Sequence, residues 1–142
     1  MNSTPPSPIR IGIAGSSWWV DSMYLPALQH HPHGRVTAIA GRDAPELAQR
    51  WQVETTYPDW QSLLDSGAVD AVIIATRNHT HFPIACAALE AGLHVLCEKP
   101  IGLNYREAAA LAELAAAKGA ITMTPFTYHY MPAARYLEAT DR

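Results

Sequence analysis

"IRIGIAGSSWWVDSMYLPAL", from Ile9 to Leu28, starts as a short apolar run, passes one glycine and two serines, and continues into a helix-like stretch. An apolar strand, a glycine and a helix start make up the first turn of a dinucleotide-binding fold, where free backbone N–H groups and the helix dipole converge on a pyrophosphate. The G-x-G-x-x-G spacing that marks such turns is incomplete here. Counted from Gly15, the second and third glycine positions hold Ser17 and Val20. Gly15 supplies the tight turn, and Ser16 and Ser17 offer hydroxyls that can donate to phosphate where glycines offer only space. Val20, or Asp21 if the loop carries one extra residue, replaces the glycine that allows close helix–strand packing. A displaced or widened helix start is therefore expected, with Asp21 as a cap. Trp18 and Trp19, adjacent at a helix start, cannot share a face. One should pack inward and the other lie over the loop, in reach of a cofactor. Taken alone, the loop also fits an ordinary βα turn without a ligand.

Outward from this turn the pattern repeats. Apolar runs recur at Arg35–Ala40, Asp70–Thr76, His94–Glu98 and Ala120–Thr124, with a shorter one at Thr55–Tyr57. They are continuous rather than alternating, as in strands covered on both faces. Helix-like stretches separate them at Asp21–His31, Ala44–Trp51, Asp59–Ser66, Thr80–Glu90 and Asn104–Lys118. Asp59 and Asn104 are placed as N-caps, and Gly119 as a stop. Alternating strands and helices predict an α/β fold, a doubly wound parallel sheet of the Rossmann type with right-handed crossovers.

Size and charge narrow the partners. A chain of 142 residues, about half of them hydrophobic, fits one domain that buries about 68% of the surface its unfolded form exposes. The net charge of −3 leaves no basic footprint for nucleic acid or for an anionic membrane. Cys86 and Cys97 lack a paired spacing, which suits a reducing compartment, by default the cytoplasm. Residues 1–8 read as a frayed proline-rich leader without a signal-peptide pattern. His79 and His81 have no acidic or cysteine companion, so no metal site is expected.

The end of the second strand bears on the cofactor. An acid there takes the ribose 2'-hydroxyl, whereas an arginine accommodates a 2'-phosphate. In "AIAGRD" Gly41 stands where the acid would be, followed by Arg42 and Asp43. This favours NADP, with NAD the alternative. Arg42 also fits a solvated surface arginine paired with Asp43 or Glu46, and Asp43 fits an N-cap.

"HVLCEKPIGLNYREAAALAELAAAKG", preceded by "DAVIIATRNHTHFPIACAALEAG", resembles the Gfo/Idh/MocA family of nicotinamide-dependent oxidoreductases. The likeness spans about 9 to 137, and its most specific element is Glu98-Lys99-Pro100. It implies that Glu98 contacts the nicotinamide ribose and that Lys99 points its ammonium at the substrate oxygen. Pro100 would hold that turn, through a cis Lys99–Pro100 bond. Such chemistry needs a hydride acceptor and a group that manages the hydroxyl proton, and a lysine desolvated beside a cationic ring suits the second role. Thr76, Asn78 and His81 match the family's fourth-strand turn, which lines the cofactor path, but Arg77 replaces the usual proline.

The resemblance also implies a two-domain enzyme, of which residues 9–124 match the Rossmann half. Residues 125–142 look like a linking strand and helix towards a C-terminal substrate domain that the chain lacks. The expected function is thus the NADP-binding half of an oxidoreductase acting on CH–OH groups of a sugar or polyol. The second domain would supply most of the substrate pocket, in trans if at all, and a homo-oligomer is left open. Two other readings stand beside this one. The first is a non-catalytic nucleotide-binding or regulatory module, or an inactive fragment. The second is an interaction domain that uses Phe126, Tyr128 and Tyr130.

Overall fold

The computed structural model describes residues 7–140, so most of the leader expected over 1–8 lies outside the described residues. Six strands, β1 (Ile9–Ala14), β2 (Gly34–Ala40), β3 (Thr55–Tyr57), β4 (Ala71–Ile74), β5 (His94–Cys97) and β6 (Thr122–Met123), form one parallel sheet. Its order is β3-β2-β1-β4-β5-β6. The order reverses between β1 and β4, and in open α/β sheets the crevice at that switch point, beyond the carboxyl ends of the strands, receives ligands.

Both faces of the inner strands are covered, which is why those strands read as unbroken apolar runs, whereas the edge strands β3 and β6 are largely exposed. Ile13, Ile39 and Ile73 point to one face, where they pack with Val20, Leu25, Ala44 and Leu47 from α1 (Leu25–Leu28), the turn before it and α2 (Ala44–Trp51). Ala38, Ala40, Val72 and Ile74 point to the other, against Leu63 of α3 (Trp60–Asp65), Ile84 and Leu89 of α4 (Asn78–Glu90) and Leu111 of α5 (Tyr105–Lys118). Each fully buried aliphatic side chain of this kind contributes roughly 1.5–3 kcal/mol.

The caps fall where side chains can take orphan amides. Asp59 Oδ1 accepts from the Ser62 N–H at 2.8 Å. Asn104 Oδ1 accepts from Glu107 N–H at 3.1 Å, and Glu107 Oε2 reaches back to Leu103 N–H at 2.7 Å. Gly119 ends α5 at φ +62, a conformation glycine adopts without a Cβ penalty. α4 begins at Asn78, two residues before the expected start, because Arg77 is already an extended N-cap at φ −76. That angle is one a proline would take, so the arginine preserves the backbone conformation a proline would set there.

Two expectations are corrected. The helix after the phosphate turn does widen, but Asp21 does not cap it. Val20–Tyr24 forms a π-helical turn in which Leu25 N–H donates to Val20 O, five residues back. The residue expected as a loop insertion is absorbed inside the helix. Asp21 instead binds Arg50 Nη1 at 2.6 Å and Trp51 Nε1 at 2.7 Å, tying the helix to α2. Nor, among the described residues, is there a linking strand after 124: Thr127–Tyr130 is a 3₁₀ turn leading to α6 (Pro132–Thr140). Pro125 lacks the N–H that would extend pairing beyond β6, and β6 itself pairs only through Thr122 and Met123.

Candidate dinucleotide site

At the switch point the backbone makes its closest approaches. Gly15 donates its N–H to Ala40 O at 2.9 Å and has φ +124, and a Cβ there would lie 2.4 Å from Ala75 O. The glycine lets the turn pass directly over the end of β4. Beyond it, the N–H groups of Ser16 and Ser17 find no acceptor among the described residues. Two free amides at a helix start fit a pyrophosphate oxygen.

Ser16 sits differently from the expectation that both serines face phosphate. Its Oγ accepts from Asp43 N–H at 3.0 Å, across to the turn after β2. Gly41 in that turn has φ +144, and a Cβ on it would lie 2.7 Å from Ser16 Oγ. Asp43 occupies the N-cap of α2 without a side-chain capping bond. Arg42 is exposed and has no ion pair among the described residues, since Glu46 is taken by Arg50.

At the other end of the crevice lies a cleft of about 180 Å³, lined by Ser17, Trp19, Ala75, Thr76, Asn78, His81, Glu98 and Lys99. The structure thus gathers seven of the residues singled out in the sequence, from three separate stretches. Gly15 lies beneath the turn, while Gly41 and Arg42 stand at the far side, beyond β2. The indoles divide as expected. Trp18 is 71% exposed with its ring 5.9 Å from that of Trp19, and Trp19 turns inward.

Glu98 is 8% exposed and is met only by donors. Trp19 Nε1 donates to Oε1 at 2.6 Å, the Tyr24 hydroxyl donates to the same oxygen at 2.7 Å, and Lys99 N–H donates to Oε2 at 3.1 Å. Tyr24 went unrecognised in the sequence. It lies 74 positions from Glu98, and only the π-helical turn decides which way it faces.

His81 is 1% exposed and is a tie rather than a rim residue. Its Nδ1 lies 2.7 Å from Pro100 O and its Nε2 3.1 Å from Thr76 O. The ring thereby spans the turn after β4 and the turn after β5. The Lys99–Pro100 peptide is cis. Lys99 is exposed and has no carboxylate partner among the described residues.

Burial and the nearby carboxylate hold the Tyr24 phenol well above its ordinary range, and burial, with Glu98 adding to it, pushes the Cys97 thiol up to about 12. Both groups favour the folded state as neutral acids. Their contributions are complete below the unfolded values, near 9.0 for the thiol and 10.0 for the phenol, and are lost as pH rises towards the folded ones. Stability should therefore fall above pH 9, by up to ~1.4 kcal/mol per pH unit for each group. In urea titrations at pH 8 to 11, Cys97→Ala should flatten the fall that begins near 9.0 and Tyr24→Phe the one that begins near 10.0. Unchanged slopes in both variants would refute the assignment.

Strand order, switch-point glycine and free amides define a dinucleotide-binding domain of the Rossmann type. Residues 9–126 match the sequence model of the Gfo/Idh/MocA family, described as an oxidoreductase family with an NAD-binding Rossmann fold. The chain belongs to that family. It is 39% identical over 103 residues to levoglucosan dehydrogenase of Pseudarthrobacter phenanthrenivorans, which covers 72% of this chain and 26% of that one. It is 35% identical to D-xylose 1-dehydrogenase (NADP(+)) 2 of Haloferax volcanii, over 87% of this chain and 39% of that one. Among solved structures, a 3-ketoreductase from Actinomadura kijaniata in complex with TDP-benzene and NADP superposes with a TM-score of 0.86. Its identity is 33%, over 92% of this chain and 42% of that one. The chain thus spans between a quarter and about two fifths of these relatives. Among the described residues no helix is long and apolar enough to cross a membrane.

Proposed function

We propose that this chain is the NADP-binding half of an oxidoreductase that acts on a CH–OH group of a sugar, polyol or related compound. The observation that carries the reading is the cleft itself, in which a Glu98 held by three donors and an unpaired Lys99 stand beside the free amides of Ser16 and Ser17. In this reading Ser16 and Ser17 N–H groups hold the pyrophosphate, and Gly15 lets it approach. Trp19, Thr76 and Asn78 line the path, with Trp18 over the loop. Glu98 accepts from a ribose hydroxyl through its remaining lone pairs. A bound nicotinamide supplies a hydride-transfer centre. Lys99 holds or moves the proton at the substrate oxygen, and His81 fixes the turn that carries Lys99 and Pro100. The relatives named as sugar dehydrogenases, and the one named for NADP(+), support this substrate class and cofactor.

A second domain, in cis or in trans, completes the substrate pocket, and exposed Phe126, Tyr128 and Tyr130 suit its docking. A reducing compartment such as the cytoplasm suits Cys86 and Cys97, which are free thiols.

Trp18 and Trp19 provide the test. NADPH should quench tryptophan emission or draw energy from it, and should bind more tightly than NADH. Arg42→Ala should weaken NADPH by about tenfold, the scale of one charge-assisted contact, and leave NADH unchanged. Equal affinities for the two cofactors, or equal losses in the variant, would overturn the NADP assignment. Absence of any signal at high NADPH would overturn the dinucleotide reading itself.

A further inference from the structure

We infer that Ser16 is a specificity-determining residue for the adenosine 2'-phosphate, working as a pair with Gly41; this rests on the dinucleotide reading above. A domain that prefers the unphosphorylated ribose places an acid at the end of the second strand to take the 2'-hydroxyl. Two observations deny this chain such an acid. Gly41 holds φ +144, which L side chains rarely adopt, and the space its Cβ would need is filled, with Ser16 Oγ at 2.7 Å and Ser16 Cβ at 3.1 Å. The serine thus occupies from the first turn the volume that the second strand's side chain would otherwise take.

What it puts there is a donor. Ser16 Oγ already accepts the Asp43 N–H at 3.0 Å, which fixes the oxygen against the β2–α2 turn. Its own proton has no acceptor among the described residues. A hydroxyl has one proton to give and two lone pairs, so the group that best completes Ser16 is an acceptor, and an anionic acceptor makes the stronger bond. The neighbouring cation is Arg42, exposed and without an ion pair among the described residues. A fixed hydroxyl donor beside a free guanidinium, with position 41 closed to a carboxylate, recognises a phosphomonoester on the ribose 2'-oxygen, while the Asp43 side chain is exposed and makes no capping bond.

The test uses two fragments that differ only by that phosphate. The 142-residue chain and its Ser16→Ala and Ser16→Thr variants are titrated calorimetrically with adenosine 2',5'-bisphosphate and with 5'-ADP, after circular dichroism has confirmed folding. Ser16→Ala should lose about tenfold for the bisphosphate and change little for 5'-ADP, while Ser16→Thr, which keeps the hydroxyl, should stay near wild type. Ser16→Cys is the second probe, since it keeps the side chain in place but donates only weakly; it should show the same selective loss. Equal losses for both fragments, or no loss for either, would overturn the inference. If wild type binds NADPH but does not distinguish the fragments, Ser16 selectivity fails while the dinucleotide reading stands. If it binds neither NADPH nor either fragment, both fail.

Discussion

Gly15→Ala should leave the domain close to unfolding and abolish NADPH binding. Two costs act together at this position. A non-glycine residue at φ +124 sits in sparsely populated backbone space, at roughly 1–3 kcal/mol. The added methyl also meets Ala75 O at 2.4 Å, and that oxygen belongs to backbone held between two central strands. Ala75 donates its own N–H to Ala14 O at 2.9 Å, so it cannot move without breaking the β1–β4 junction. Overpacking of this kind costs about 1–3 kcal/mol more. Together these, about 2–6 kcal/mol, reach the lower end of the stability of a small domain, about 5–15 kcal/mol. Gly67 and Gly119 give the contrast: both have positive φ, but nothing lies within 4 Å of a Cβ on either. Alanine there should cost about 1–2 kcal/mol. Urea midpoints of the three variants decide the matter, and a Gly15→Ala midpoint equal to that of Gly67→Ala would refute it.

Glu98→Gln should be nearly as damaging, although it keeps size and shape. Three donors converge on the carboxylate, from Trp19, Tyr24 and Lys99, and a glutamine amide must turn its NH₂ towards at least one of them. A buried donor left facing a donor costs about 1–3 kcal/mol, more where the lost acceptor was charged. NADPH binding should fall with stability, because the Trp19 ring that lines the cleft is held by the same oxygen. Glu113→Gln, on the outer side of α5, should change neither. A double-mutant cycle with Tyr24→Phe separates local from general effects. Coupling near zero between positions 24 and 98 would mean that the phenol and the carboxylate act independently, and would refute the shared network.

Much of this was legible in the sequence, for identifiable reasons. β1 starts and stops where its apolar run places it, because a strand buried on both faces, Ile13 on one and Ala14 on the other, leaves no alternation to misread; the exposed edge strand β3 was bounded instead by the turn signals around it. Asp59 and Asn104 were readable as caps because a cap is a local event spanning three residues. Asp21 was not, because its partners Arg50 and Trp51 are reached only after the chain crosses to the next strand and returns. The same distance hid Tyr24. Ser16 was visible as a phosphate-loop residue, yet its bond to Asp43 N–H depends on how two turns meet beyond adjacent strands, and local pattern does not encode that meeting. His81 was placed on the cofactor path by resemblance. Its role as a tie between the Thr76 and Pro100 carbonyls became clear only with both turns in place.

The π-helical turn over Val20–Tyr24 uncouples the length of this segment from the addresses of its side chains. An added residue in a regular helix would rotate everything downstream by about 100°, and either the Trp19–Glu98 anchor or the Leu25 packing would be lost. Held as one wide turn, the surplus is stored as slack, and Val20 and Leu25 both stay buried in the same core. The phosphate loop and the helix behind it are thereby decoupled in register, and the helix keeps its footing on the sheet.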